Sequence, residues 1–130
     1  MRDGAVVAAV GLGGAVGAAA RYGLGVAWPD DPAGFPWTTF TINVTGCMAI
    51  GVLLATLERL TAPHRLVRPL LGTGLLGGFT TLSTYADQTR ALLAAGRWLL
   101  AGAYVAATLV TAVVGVWLGT IAVRAMRRRS

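Results

Sequence analysis

Residues 77–85 read Gly77-Gly78-Phe79-Thr80-Thr81-Leu82-Ser83-Thr84-Tyr85, in the middle of an otherwise apolar run from Leu66 to Leu93. Two adjacent glycines followed by five hydroxyl side chains do not favour an uninterrupted membrane helix. Glycine is conformationally loose, and Ser and Thr can bond backbone groups in place of the helical ladder. In lipid, a broken backbone is tolerated only where it is buried in protein or lines a water-filled cavity. The stretch therefore predicts a membrane segment broken near residues 77–81, and that break is the leading candidate for function.

Outward from this segment, the apolar runs predict an all-α membrane protein with four transmembrane helices in one domain. The expected spans are 4–26, 37–57, 66–93 (broken in mid-membrane) and 99–123. Of the 130 residues 55% are hydrophobic and 12% charged, against about a quarter charged in soluble domains. The first span carries a small-residue face at Gly13 and Gly17, which lets helix backbones approach closely in lipid. Trp28 to Trp37, with Pro29, Pro32, Gly34 and Pro36, reads as an interfacial loop. In the second span Thr39, Asn43 and Cys47 share one helical face. An Asn inside a membrane helix must bond something, either a neighbouring helix as glue or an ion as a pore-lining donor.

Charge is carried by arginine, with no lysine, and the formal net charge is +6. The arginines lie between apolar segments, a pattern of membrane anchoring and orientation that implies no nucleic-acid partner. With four spans, Arg2, Arg59, Arg65, Arg68, Arg124, Arg127, Arg128 and Arg129 share one side. Arg90 and Arg97, with Arg21 at the end of the first span, take the other. The positive-inside tendency then predicts a multi-pass plasma (inner) membrane protein with both termini cytoplasmic, dual topology being the alternative. Cys47 is the only cysteine and His64 the only histidine, so neither a disulfide nor a Cys/His metal site is expected within the chain. An enzyme is not expected, because Ser83 and Thr84 have no base and orienting group at compatible positions.

Three motifs, in order along the chain, carry a resemblance. Gly14-Ala15-Val16-Gly17-Ala18-Ala19-Ala20-Arg21-Tyr22, then Thr39-Phe40-Thr41-Ile42-Asn43-Val44-Thr45-Gly46, then Gly77 to Tyr85 resemble the Fluc fluoride channels of the CrcB family. The resemblance implies a four-helix subunit that pairs antiparallel with a second subunit, enclosing pores for passive export of cytoplasmic fluoride. It also implies a structural sodium ion at the dimer centre, held by backbone carbonyls at the break, here those of Gly77 and Thr80. By the same resemblance the pore is lined by Asn43, by the ring positions Leu82 and Tyr85, by a hydroxyl from Ser83 or Thr84, and by Tyr104. Arg21 and Gly78 fall at structural positions of the motifs. Fluoride is small and tightly hydrated, so a pore must replace its water with N–H, O–H and ring-edge donors, without a fixed cation that would trap it.

The chain departs from the family pattern at Leu82 and Tyr85, where the resemblance calls for Phe at both positions. It departs again at Gln88, where the family often carries an acid. The missing ring and the arginine bias together suggest one half of a heterodimer, paired with a paralogue of opposite orientation and itself conducting poorly or not at all. A small proton-coupled drug exporter is the rival of another class. It requires an ionisable group inside the membrane, whereas Asp3, Asp30, Asp31, Glu58 and Asp87 all fall at span ends or in loops.

Overall fold

The computed structural model describes residues 2–126. Helix α1 (Arg2–Ala27) is followed by α2 (Trp37–Leu57), and the third apolar run comes in pieces. A π-helical stretch (Arg68–Leu76) passes into one turn, α3 (Gly77–Phe79), and after residues 80–82 the chain resumes as α4 (Ser83–Ala94). Helix α5 (Trp98–Met126) closes the bundle. Among the described residues three helices, α1, α2 and α5, are long and apolar enough to cross a membrane. The 21 residues of α2 rise about 31 Å, close to the thickness of the hydrocarbon core. Large apolar side chains face outward along these helices, Val113 at 71% exposure and Leu99 at 89% among them. Such a surface is that of a protein solvated by lipid or covered by another apolar body.

The helices associate through glycine. Ala9, Gly13 and Gly17 form the buried stripe of α1, and it lies against the third segment. A Cβ added at Gly78 would come within 2.9 Å of Gly14 Cα, and one added at Gly74 within 2.8 Å of the Val10 carbonyl oxygen. On the other side of the bundle Gly115 and Gly119 of α5 lie against the α2 backbone at residues 44–52, and Gly51 lies against Val116. In both pairs the contact positions rise together along the two chains, so α1 runs parallel to the third segment and α2 parallel to α5. Without water to drive apolar surfaces together, close van der Waals packing of small residues is what joins helices in lipid. The small-residue face at Gly13 and Gly17, legible in the sequence, is one of those used.

Two features fix the ends. Gly96 at φ 74° follows α4 in the left-handed region. The Arg97 N–H bonds the Leu92 carbonyl (2.9 Å) and the Gly96 N–H that of Leu93 (3.0 Å), a Schellman stop that turns the chain directly into α5. At the opposite end the Arg59 guanidinium donates to the Val123 carbonyl, and Arg124 lies 3.6 Å from Glu58. The second loop and the end of α5 are therefore neighbours, as the four-span reading requires. Arg127, Arg128 and Arg129, which weigh heavily in the charge count, lie outside the described residues.

Candidate functional site

The interruption after α3 is built from side chains that replace helical hydrogen bonds. Thr80 is extended (φ −74°, ψ 157°), which turns the next peptide out of the ladder. Asn43, 8% exposed on α2, pairs with Thr81 as one amide with another. Its Oδ1 accepts the Thr81 N–H (2.8 Å) and its Nδ2 donates to the Thr81 carbonyl (3.0 Å). The Thr84 N–H in turn bonds Thr81 Oγ1 (3.1 Å), and Arg21 Nε reaches from α1 to the Gly78 carbonyl (3.2 Å). In an unbroken helix the Thr81 N–H would bond the Gly77 carbonyl and the Thr84 N–H the Thr80 carbonyl. Both donors are taken elsewhere, so these two carbonyls lose their helical partners.

A second cluster lies beside the first. Tyr104 of α5 is fully buried with Leu92 and Ala101, packed by Phe35, Phe40 and Tyr85. Its ring meets Phe35 edge-on at 5.3 Å and Tyr85 at 5.1 Å. Its hydroxyl donates to Gln88 Oε1 (2.9 Å), and Gln88 Nε2 donates to Asp30 Oδ2 (3.0 Å). Asp30 comes from the first loop, where it satisfies the first turn of α2. It accepts from the Thr38 N–H (2.7 Å), the Thr39 N–H (3.2 Å) and the Thr39 hydroxyl (3.0 Å). Since Pro36, which precedes α2, supplies no side-chain cap, the carboxylate takes over that task from six residues upstream. It also suits the positive end of the helix dipole. One turn beyond Tyr104, the Thr108 hydroxyl is buried with no hydrogen-bond partner among the described residues.

Between the two clusters is a cavity of about 370 Å³ whose walls include Arg21, Asp30, Thr39, Thr81, Thr84 and Gln88. Tyr22, Val26, Pro29 and Ile42 make much of the remaining wall apolar, so the polar groups are a minority of the lining.

The residues predicted for the site divide accordingly. Asn43 and Thr84 meet at Thr81, while Tyr85 and Tyr104 share the aromatic cluster. Arg21 and Gly78 are joined by a hydrogen bond. Gly77 is exposed and Thr80 half-buried. Leu82, at 77% exposure, and Ser83 point away from the subunit's interior, although Ser83 Oγ stays 3.3 Å from Thr81 Oγ1. The structure adds three residues: Thr81, the hub of the break; Asp30, read from sequence as part of a loop; and Gln88, read only as a missing acid. An acid shortly before a helix start that lacks its own capping side chain was the signal for Asp30. Nothing in the sequence pairs Asp30 with Gln88.

Residues 8–120 match the family described as CrcB-like protein, Camphor Resistance (CrcB). The chain is 53% identical over 119 residues to Fluoride-specific ion channel FluC 1 of Streptomyces coelicolor, covering 92% of this chain and 77% of that one. It is 50% identical to Fluoride-specific ion channel FluC 2 of Nocardia farcinica (94% and 87% covered). It is 45% identical to Fluoride-specific ion channel FluC 1 of Mycobacterium bovis (95% and 93% covered).

Proposed function

This chain belongs to the CrcB family, and from that membership we infer that it is a fluoride-selective ion channel, not an enzyme, that lets cytoplasmic fluoride leave the cell passively. The observation that carries the reading is near-full-length identity of about one half to relatives named as fluoride-specific ion channels. The site chemistry agrees with it. Fluoride enters cells as the neutral acid and ionises inside, and a negative membrane potential then drives the anion out through any open path. Such a path needs donors that replace the ion's water without holding it fast. The Thr84 hydroxyl, which accepts the Thr81 proton and keeps its own, the second N–H of Asn43 and the ring edges of Tyr85 and Tyr104 are of that kind. We assign Asn43, Thr84, Tyr85 and Tyr104 to the pore lining, with Leu82 and Ser83 at its outer edge.

The break between α3 and α4 is placed at membrane depth in this reading, because the third apolar run then spans as a whole. The functional unit is a dimer of antiparallel subunits. Supporting this, Leu82, Ser83 and Gly77 are exposed beside the break, where a bilayer would not solvate freed backbone. A sodium ion fits there: the carbonyls of Gly77 and Thr80 have lost their helical donors, and hard cations take oxygen ligands. When bound, sodium would supply positive charge that neutralises these carbonyl dipoles and ties the breaks of two subunits together. The arginine distribution favours cytoplasmic termini at the plasma membrane.

A second reading, a structural half of a heterodimer, is favoured by the arginine bias and by one position of the pore motif. Leu82 presents an aliphatic side chain at an exposed position where the resemblance calls for an aromatic ring. Reconstitution of the purified chain alone in liposomes, with fluoride efflux followed by an ion-selective electrode and chloride as control, separates the two. Rapid fluoride-selective efflux establishes a self-sufficient channel. A folded, dimeric sample that releases neither ion points to the heterodimer.

A further inference from the structure

The hydrogen-bond chain from Asp30 through Gln88 to Tyr104 has a direction, and chemistry allows only one. A carboxylate accepts and does not donate. Gln88, 3.0 Å from Asp30 Oδ2, must therefore turn its NH2 group to Asp30. Its carbonyl oxygen is then the atom that faces the phenol, and the Tyr104 hydroxyl, 2.9 Å away, must donate to it. A phenol has a single proton. With that proton on Gln88, the buried Tyr104 hydroxyl has none left for an anion, and Tyr104 offers the pore only its ring.

We propose that Asp30 is a positioning residue for fluoride permeation: by fixing the orientation of the Gln88 amide, it commits the Tyr104 proton and keeps a strong fluoride donor out of the path. This rests on the reading of Tyr104 as pore-lining. The consequence is functional because throughput needs an ion bound firmly enough to enter and loosely enough to leave. A phenol free to donate to fluoride would deepen the site. Gln88 is what makes the control possible, since an amide transmits orientation from one side to the other: it donates on one face and accepts on the other.

Asp30→Asn tests this: its carbonyl oxygen keeps the Thr38 N–H at the start of α2, and its NH2 group takes the place of Oδ2, giving up the Thr39 N–H and hydroxyl as donors. Its NH2 group requires an acceptor, so the Gln88 amide reverses, Nε2 donates to the phenol oxygen, and the Tyr104 proton is released toward the pore. Two measurements decide the matter. The first is the Raman Fermi doublet of tyrosine, which distinguishes a phenol that donates from one that accepts. The Tyr104 contribution is isolated by subtracting the spectrum of Tyr104→Phe in each background. It should show a donor in the parent chain and an acceptor in Asp30→Asn. An unchanged doublet overturns the proposal whether or not the chain conducts, so silence in the efflux assay bears on the channel reading alone.

The second measurement is the concentration dependence of fluoride efflux from liposomes, made with whichever dimer conducts. Asp30→Asn should lower both the maximal rate and the half-saturating fluoride concentration, the latter by about tenfold, the size of one hydrogen bond to a charged group. A general structural defect would lower the rate without tightening the ion. In a Gln88→Leu background the same substitution should have no further effect on half-saturation. A shift of equal size there would mean that Asp30 acts without Gln88, and would overturn the proposal.

Discussion

Asn43 holds the break with a single side chain, and in the proposed channel it would serve the pore as well. The sequence left it between glue and lining, and the structure places it firmly as glue. Both polar atoms of its amide are spent on the peptide of Thr81, yet one N–H of Nδ2 is left over for an ion. An amide is suited to the task because it matches the peptide group donor for acceptor and carries no charge. Asn43→Leu, close in volume, would leave a buried N–H and a buried carbonyl unpaired, at about 1–3 kcal/mol each. The expected outcome is lower thermal stability of the detergent-solubilised protein together with loss of fluoride efflux. Asn43→Asp should do no better, since a carboxylate accepts the Thr81 N–H but faces the Thr81 carbonyl with like partial charge. If the Leu variant unfolded like the parent, the amide pairing would not be what holds the break.

Elements meet here through backbone, and that makes their tolerance uneven. Gly78 sits against Gly14, with a Cα in the way of any added side chain at 2.9 Å, and backbone cannot swing aside as a side chain can. Gly78→Val should therefore separate α1 from the third segment and release the Gly78 carbonyl from Arg21. Little monodisperse protein is expected on size-exclusion chromatography. Gly96 has open space around it and is constrained only by its φ of 74°. Gly96→Ala should cost about 1–2 kcal/mol, the strain of a left-handed residue, visible as a lower unfolding temperature. Efflux per folded protein should be unchanged, because a Cβ at Gly96 meets no atom within 4 Å and disturbs no neighbour. Equal damage from the two substitutions would mean that the close helix contact is not what Gly78 is for.

At the scale of the whole molecule the question is orientation. The second loop lies beside the end of α5, so Arg59 and Arg124 share one end of the bundle. A chain with this bias should insert in one orientation: cysteine-reactive labelling of tagged termini in intact cells should mark one face only. Equal labelling from both faces would indicate dual insertion and a homodimer, and would remove the main argument for a paralogous partner. The exposed apolar flanks of α1 and α5 are silent on this point, since lipid and a second subunit both cover them.

The sequence by itself determined the helical membrane class, the family, the glycine faces and the place where the third segment loses its helix. These are set by apolar run length and by residues whose backbone chemistry acts locally, Gly77 and Gly78 above all. It also singled out Asn43, because a lone amide in a membrane helix must find a partner. Which partner was a matter for the tertiary structure, as were the grip of Arg21 on the Gly78 carbonyl and the splitting of the motif between Thr81, turned inward, and Leu82, turned out. The relay from Asp30 to Tyr104 was decided there as well. It joins a loop, α4 and α5 across 58 positions between Asp30 and Gln88, and hydrogen bonds over such separations follow from how helices pack, which no local pattern of residues encodes.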